Sequence, residues 1–235
     1  ARPRLGNPGE TEKIYLEAQR RLAAAMSVAA VRETVAWTRD TIRERIAGKE
    51  RREKERAGLI RKAPLRIGVI GEIYTILDPF SSLDMEKSLG YMGVEVDRSL
   101  YLSGWVGKHI LQGWRQGYRP LKQYEKLARP YLPHFVGGHG QETVGAAVEF
   151  ARRRVDGVIH LLPLNCMPEI VAAAILPQIQ RDYGIPMMTL TVDEHTGRAG
   201  FQTRLEAFAD LAQLAREDRT AVLNRREEAM CVAGK

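Results

Sequence analysis

A chain of 235 residues with 44% hydrophobic and 28% charged side chains is long enough to bury a core, and this composition excludes a disordered polyelectrolyte. The formal charge of +7 invites a nucleic-acid partner, but much of it is local to 39–62, where Glu44, Glu50, Glu53 and Glu55 interrupt the basic run. Alternating sign of this kind marks a solvated helical face, so nucleic-acid binding ranks last among the functional classes.

Residues 10–60 have apolar side chains at helical spacing, among them Ile14, Leu22, Met26 and Trp37. They predict a helical arm over 1–63 that breaks at Gly48 or near Gly58 and closes at Pro64. An Ala-rich stripe like this one needs a partner surface, either another helix or a second protomer. At Leu65 the period changes: Leu65–Gly71 is the pattern of a buried strand. A helix opening at 81–86 and ending near Gly90–Gly93 follows, then a strand over 94–101. The stretch 103–135 reads as helix-rich and aromatic, with Trp105, Trp114, Tyr118, Tyr124 and Tyr131.

After the glycine loop 137–140 the expected order is a helix over 141–154, a strand over 158–163 and a helix over 168–183. A strand over 186–192 and a helix from Phe201 to about Arg216 complete the domain, and 217–235 is a polar tail. Strands alternating with helices of this length predict an α/β domain over 64–216. Its sheet is parallel and open, flavodoxin- or Rossmann-like, with flanking helices. No run approaches a membrane span, since the longest apolar region, Val158–Leu176, is broken by His160, Pro163, Asn165, Pro168 and Glu169. Two cysteines, Cys166 and Cys231, make no disulfide framework, and a reducing, cytoplasmic location is expected.

Parallel sheets collect ligands at the carboxyl ends of their strands, which singles out four blocks. In Pro163-Leu164-Asn165-Cys166-Met167-Pro168-Glu169 a cysteine sits at a helix start, where backbone N–H groups favour thiolate and suit a nucleophile or metal ligand. The other reading is a buried, inert thiol. In Asp193-Glu194-His195-Thr196-Gly197, Glu194 and His195 have acid–base chemistry, set against a plain hydrogen-bonded loop capping the next helix. In Gly137-Gly138-His139-Gly140, backbone amides can approach a phosphate or carboxylate, or simply form a tight turn. In the loop 72–82, Glu72 and Tyr74 are candidate polar contacts, unless Pro79-Phe80 only covers the core. Cys231 reads as an inert surface thiol.

Four blocks in order, GEIYTILDPFSSLDMEKSLGYMGVEVDRSLYLS, HFVGGHGQETVG, DGVIHLLPLNCMPEI and TLTVDEHTGRAGFQTRLEAF, resemble the 2-hydroxyacyl-CoA dehydratase component family. They are closest to its relatives described as CoA-substrate-specific enzyme activases or benzoyl-CoA-reductase-like subunits, and the likeness spans about 64–212. The resemblance implies a domain that helps hold a [4Fe–4S]-type cluster for low-potential electron transfer in anaerobic metabolism, reduced by an ATP-dependent activator. It makes Cys166 a cluster ligand; the candidate cofactor contacts Glu72, Tyr74, Gly138, His139, Asn165, Glu194 and His195 come from the four strand-end blocks themselves. It assigns no catalytic residue. The family's other ligating cysteines have no counterpart here, so the chain is expected to be the C-terminal part of a longer protein with an incomplete site, or else a short member that has lost the cluster. An assembly module that self-associates or docks the activator through the arm is the alternative.

Overall fold

The computed structural model describes residues 9–55, 63–101 and 120–233. Its elements are α1 (Glu10–Ala23), α2 (Val28–Glu55), β1 (Leu65–Gly71), α3 (Ile73–Leu77), α4 (Met85–Tyr91), β2 (Val94–Arg98), α5 (Pro120–Ala128), α6 (Gly140–Arg152), β3 (Gly157–Pro163), α7 (Met167–Tyr183), β4 (Met187–Val192) and α8 (Arg198–Ala233). Trp105, Trp114, Tyr118 and Gly58 lie outside the described residues, as does the side chain of Cys231. The chain divides into two compact units: one holds α1 and α2 together with Gly90–Glu95, the end of α4 and the start of β2, and the other holds the rest.

In the first unit α1 and α2 pack on each other as an antiparallel hairpin. Glu10, at the start of α1, pairs with Arg45 late in α2 at 3.3 Å. Arg21, at the end of α1, lies 3.9 Å above the Trp37 ring. The helical break falls at 24–27 and not at Gly48, which is inside α2. Ser27 explains the position: its Oγ accepts the Ala30 N–H at 3.2 Å and supplies an N-cap. An interior glycine costs a helix only about 1 kcal/mol, too little to end one whose neighbours favour helix.

In the second unit the sheet is parallel and four-stranded, in the order β2-β1-β3-β4, as the alternation of strands and helices predicts. β1 and β3 pair from Ile67↔Gly157 to Gly71↔Leu161, and β3 and β4 from Val158↔Met187 to Pro163↔Val192. Strand residues alternate between faces, and the glycines show what covers each. A Cβ at Gly68 would meet the Phe150 ring of α6, whereas one at Gly157 would meet Phe208 of α8. Helices therefore cover both faces, which is why Ile67, Val69, Ile70, Val158, Ile159 and Leu161 are all fully buried and the strands read as near-continuous apolar runs. β2 closes at Arg98, before the predicted end at Tyr101. Its last residues make side-chain ion pairs, Asp97 with Arg153, the C-cap of α6, at 2.8 Å and Arg98 with Glu86 of α4.

The predicted helix from Phe201 to Arg216 runs on to Ala233, through the segment read as a polar tail. On the other face α5 packs closely on α6. At Gly145 a Cβ would strike the backbone carbonyl of Tyr124, which cannot yield as a side chain can. Gly145→Ala should therefore force the two helices apart and lower unfolding free energy by about 1–3 kcal/mol, read as a lower urea midpoint.

Candidate functional site

The carboxyl ends of β1 and β3 carry the candidate residues. β1 ends at Gly71, and the segment predicted as a loop begins with the short helix α3. Glu72 makes that helix: its carboxylate accepts the N–H groups of Tyr74 at 3.0 Å and Thr75 at 2.8 Å, and the Thr75 hydroxyl at 3.0 Å. Tyr74, two residues on, is 67% exposed. Asp78 closes the segment by accepting the Ser81 hydroxyl and N–H, and these bonds hold its carboxyl below the usual range.

β3 leaves the sheet through a tight turn in which the Cys166 N–H donates to the Pro163 carbonyl at 3.0 Å. Asn165, the third residue of the turn, has φ +65°, in the left-handed region that Asn tolerates better than most residues. Cys166 is the N-cap of α7, with Pro168 in the first turn, and is half-buried. The Glu169 N–H lies toward its sulfur without making a capping hydrogen bond, and the thiol is not activated. Burial pushes its pKa up, the Glu169 and Glu72 carboxylates push the same way, and the N–H only partly opposes them. The expected thiolate-favouring environment is therefore reversed, because a helix terminus does not outweigh burial beside two acids.

The glycine loop packs against this helix start. Gly137 and Gly138 have φ of +90° and +46°. A Cβ at Gly140 would strike the Pro168 carbonyl, so the absence of a side chain there lets α6 approach α7. His139 is the N-cap of α6 through its backbone carbonyl, which accepts the Thr143 N–H at 2.8 Å, and its side chain makes no capping bond. The fold thus brings Glu72, Cys166 and the glycine loop to one place. It leaves Glu194 and His195 at the end of β4 with side chains 80% and 86% exposed. Their loop is held by Asp193, which accepts the Thr196 hydroxyl at 2.7 Å and the His195 N–H at 3.0 Å, a self-contained turn ahead of α8.

Beneath Cys166 lies a pair that sequence reasoning missed. His160 of β3 and Glu169 of α7 are 0% and 1% exposed, with Nε2 and Oε2 2.8 Å apart. The other carboxylate oxygen accepts the Thr143 hydroxyl of α6 at 3.1 Å, and Nδ1 lies 3.2 Å from Thr189 Oγ1 of β4. A ring that donates from Nε2 accepts at Nδ1 from the threonine, so every polar atom of the group is matched. The sequence held one signal: His160 and Thr189 are polar interruptions of two apolar strands, and the register sets them side by side. Glu169 is the third helical residue after the cap, where a Glu often reaches back to the cap N–H. Here it turns inward, and the cap N–H goes to Pro163.

An iron–sulfur cluster takes about four ligands, mostly thiolates. The described residues offer Cys166 alone, and no group of three or more His, Cys, Asp or Glu side chains among them is placed to hold a metal ion. The donor set fits one corner of a cluster and not a whole one. Among the described residues no helix is long and apolar enough to cross a membrane. A family model described as 2-hydroxyglutaryl-CoA dehydratase, D-component, matches residues 15–211, so the match takes in α1 from residue 15 and all of α2 as well as the blocks that carry the resemblance. No curated protein and no solved structure matches the chain.

Two outcomes are expected. Glu169→Ala strands the buried His160 Nε2 and Thr143 hydroxyl and should cost about 1–3 kcal/mol of stability, whereas Glu169→Gln, which keeps hydrogen-bonding atoms in place, should cost less; denaturant titration of both variants checks the order. Alkylation of Cys166 by iodoacetamide requires thiolate. With the thiol pKa raised, its rate should climb with pH through a midpoint above that of an unstructured cysteine peptide.

Proposed function

Because the chain belongs to the 2-hydroxyglutaryl-CoA dehydratase D-component family, we propose that it is an iron–sulfur component of a dehydratase-type system, in which Cys166 gives one thiolate to a [4Fe–4S]-type cluster. The remaining ligands come from outside the described residues. The observation that carries this reading is the placement of Cys166: half-buried at a helix start, on a turn set by Asn165, with the glycine loop packed on Pro168 beside it. When bound, the cluster supplies low-potential one-electron chemistry.

The chain's own residues do the holding. Pro163 and Pro168 bracket the loop, and the buried His160–Glu169 pair fixes the first turn of α7 to the sheet. Metal binding displaces the thiol proton, so the opposition of Glu72 and Glu169 to a free thiolate disfavours that thiolate until a cation arrives. Glu72, Tyr74, Gly138, His139 and Asn165 form the surrounding contacts on this reading, with Glu194 and His195 as outlying members. Family membership implies partnering with other dehydratase or activator subunits, and reduction by an ATP-dependent activator is part of the proposal.

The test is iron and acid-labile sulfide on the full chain, purified without oxygen and reconstituted with ferrous iron and sulfide. Wild type should hold both, with a broad visible absorbance, and Cys166→Ala should lose most of the iron and the absorbance. A Cys166→Ala protein that keeps the wild-type iron content would overturn the assignment.

A further inference from the structure

The α1–α2 hairpin buries little of its own apolar surface. Among its described residues only Ile14, Ala18 and Thr34 are buried. By contrast Met26 is 96% exposed, Val28 70%, Val35 57%, Tyr15 54%, Leu22 44% and Val31 40%.

Contacts across the hairpin fix which way each helix faces. On α1 the seam runs through Glu10, Ile14, Ala18 and Arg21, and on α2 through Thr34, Trp37 and Arg45. Each residue turns an α-helix by about 100°. Tyr15 and Leu22 therefore lie about a quarter turn past the seam of α1. Val28, Val31 and Val35 lie about a quarter turn past the seam of α2, in the same rotational sense. Because the two helices are antiparallel, equal turns in the same sense carry both sets to one side of the hairpin. The α2 set also has a regular period. Val28, Val31, Val35, Thr38 and Ile42 alternate in steps of three and four, the a and d spacing of a helix that packs along another helix.

This face amounts to roughly 450 Å² of apolar side chain, the size that marks an interaction surface on a monomer. Apolar atoms make up somewhat more than half of an interface, so two such faces correspond to about 1,600 Å² in all, the standard size of a stable complex. A matching partner has to offer helix ridges of the same spacing over the same length, and a second hairpin of this sequence does so by identity. We infer that two copies of this chain associate through this face, their hairpins closing into a four-helix bundle with Leu22, Val28, Val31 and Val35 in its core. Cys166 belongs to the other compact unit, so the inference does not depend on the proposed cluster.

Sedimentation equilibrium of the full chain at about 50 µM, without iron and with a reductant present, tests the association. Wild type should have twice the chain mass. Lysine is a good helix former and all three valines are exposed in the single chain. The double variant Val31→Lys, Val35→Lys should therefore keep the helical circular dichroism of wild type and weaken association at least about tenfold. The milder Val28→Lys should weaken it in the same direction. Leu16→Lys, 51% exposed and about half a turn from the α1 seam, should associate as wild type does. A monomeric wild type, wild-type association in the double variant and in Val28→Lys, or equal weakening by Leu16→Lys would each overturn the inference.

Discussion

His160 and Glu169 are both out of contact with water, and each is tolerable there only because of the other. An unpartnered imidazole or carboxyl at such depth costs far more than a surface hydrogen bond returns. The 2.8 Å bond between them, with the hydroxyls of Thr143 and Thr189 at their outer atoms, closes the requirement. These four residues come from β3, α7, α6 and β4, so one satisfied network fixes the first turn of α7 against the sheet and against α6. The turn that presents Cys166 stands directly on this anchor. The close approach at Gly140 is part of the same arrangement, since α6 reaches Thr143 to Glu169 only where no Cβ holds it off Pro168.

That anchor also determines the electrostatics above it. The Glu169 N–H faces the sulfur of Cys166, yet the residue's carboxyl lies close enough to work against the thiolate, and Glu72 adds to it from the end of β1. A helix terminus contributes a fraction of a charge, screened and short-ranged. Burial with two acids nearby is the larger influence. A thiol in this setting is unsuited to acting as a free nucleophile at neutral pH, whereas a cation at the same place gains from both carboxylates.

The parallel sheet was legible because its signals are local: β-branched runs between breakers, alternating with helical periods, with Asp156-Gly157 and Pro186 marking strand entries. Family membership was legible from four ordered blocks, although those blocks begin at Gly71 and the family match begins at residue 15. What failed depended on partners distant in sequence or on competing local energies. The α1–α2 break went to Ser27 because a cap is stabilising where Gly48 is merely tolerated. The His160–Glu169 pair needed the β3–β4 register and the inward turn of Glu169, neither of which a period-two or period-3.6 pattern encodes. Arg154 was invisible for a related reason, since nothing in the sequence shows that a helix will close on a left-handed arginine.

β3 connects the two ends of the domain. Its carboxyl end delivers Cys166 among carboxylates, and its amino end starts beside Asp156 among arginines. Opposite charge at the two edges of one parallel sheet is not required by the fold, because strand dipoles in a sheet sum to little. It comes from side chains at the start of α3, in the first turn of α7, just past the end of α6 and midway along α8. Each edge also holds a non-glycine residue in the left-handed region, Asn165 at one and Arg154 at the other. Asn165 has a conformational reason to be there, since few other side chains accept that turn. Arg154 takes the same region at the close of α6, where its N–H donates to Ala151 at 3.0 Å and the Val155 N–H to Phe150 at 3.3 Å.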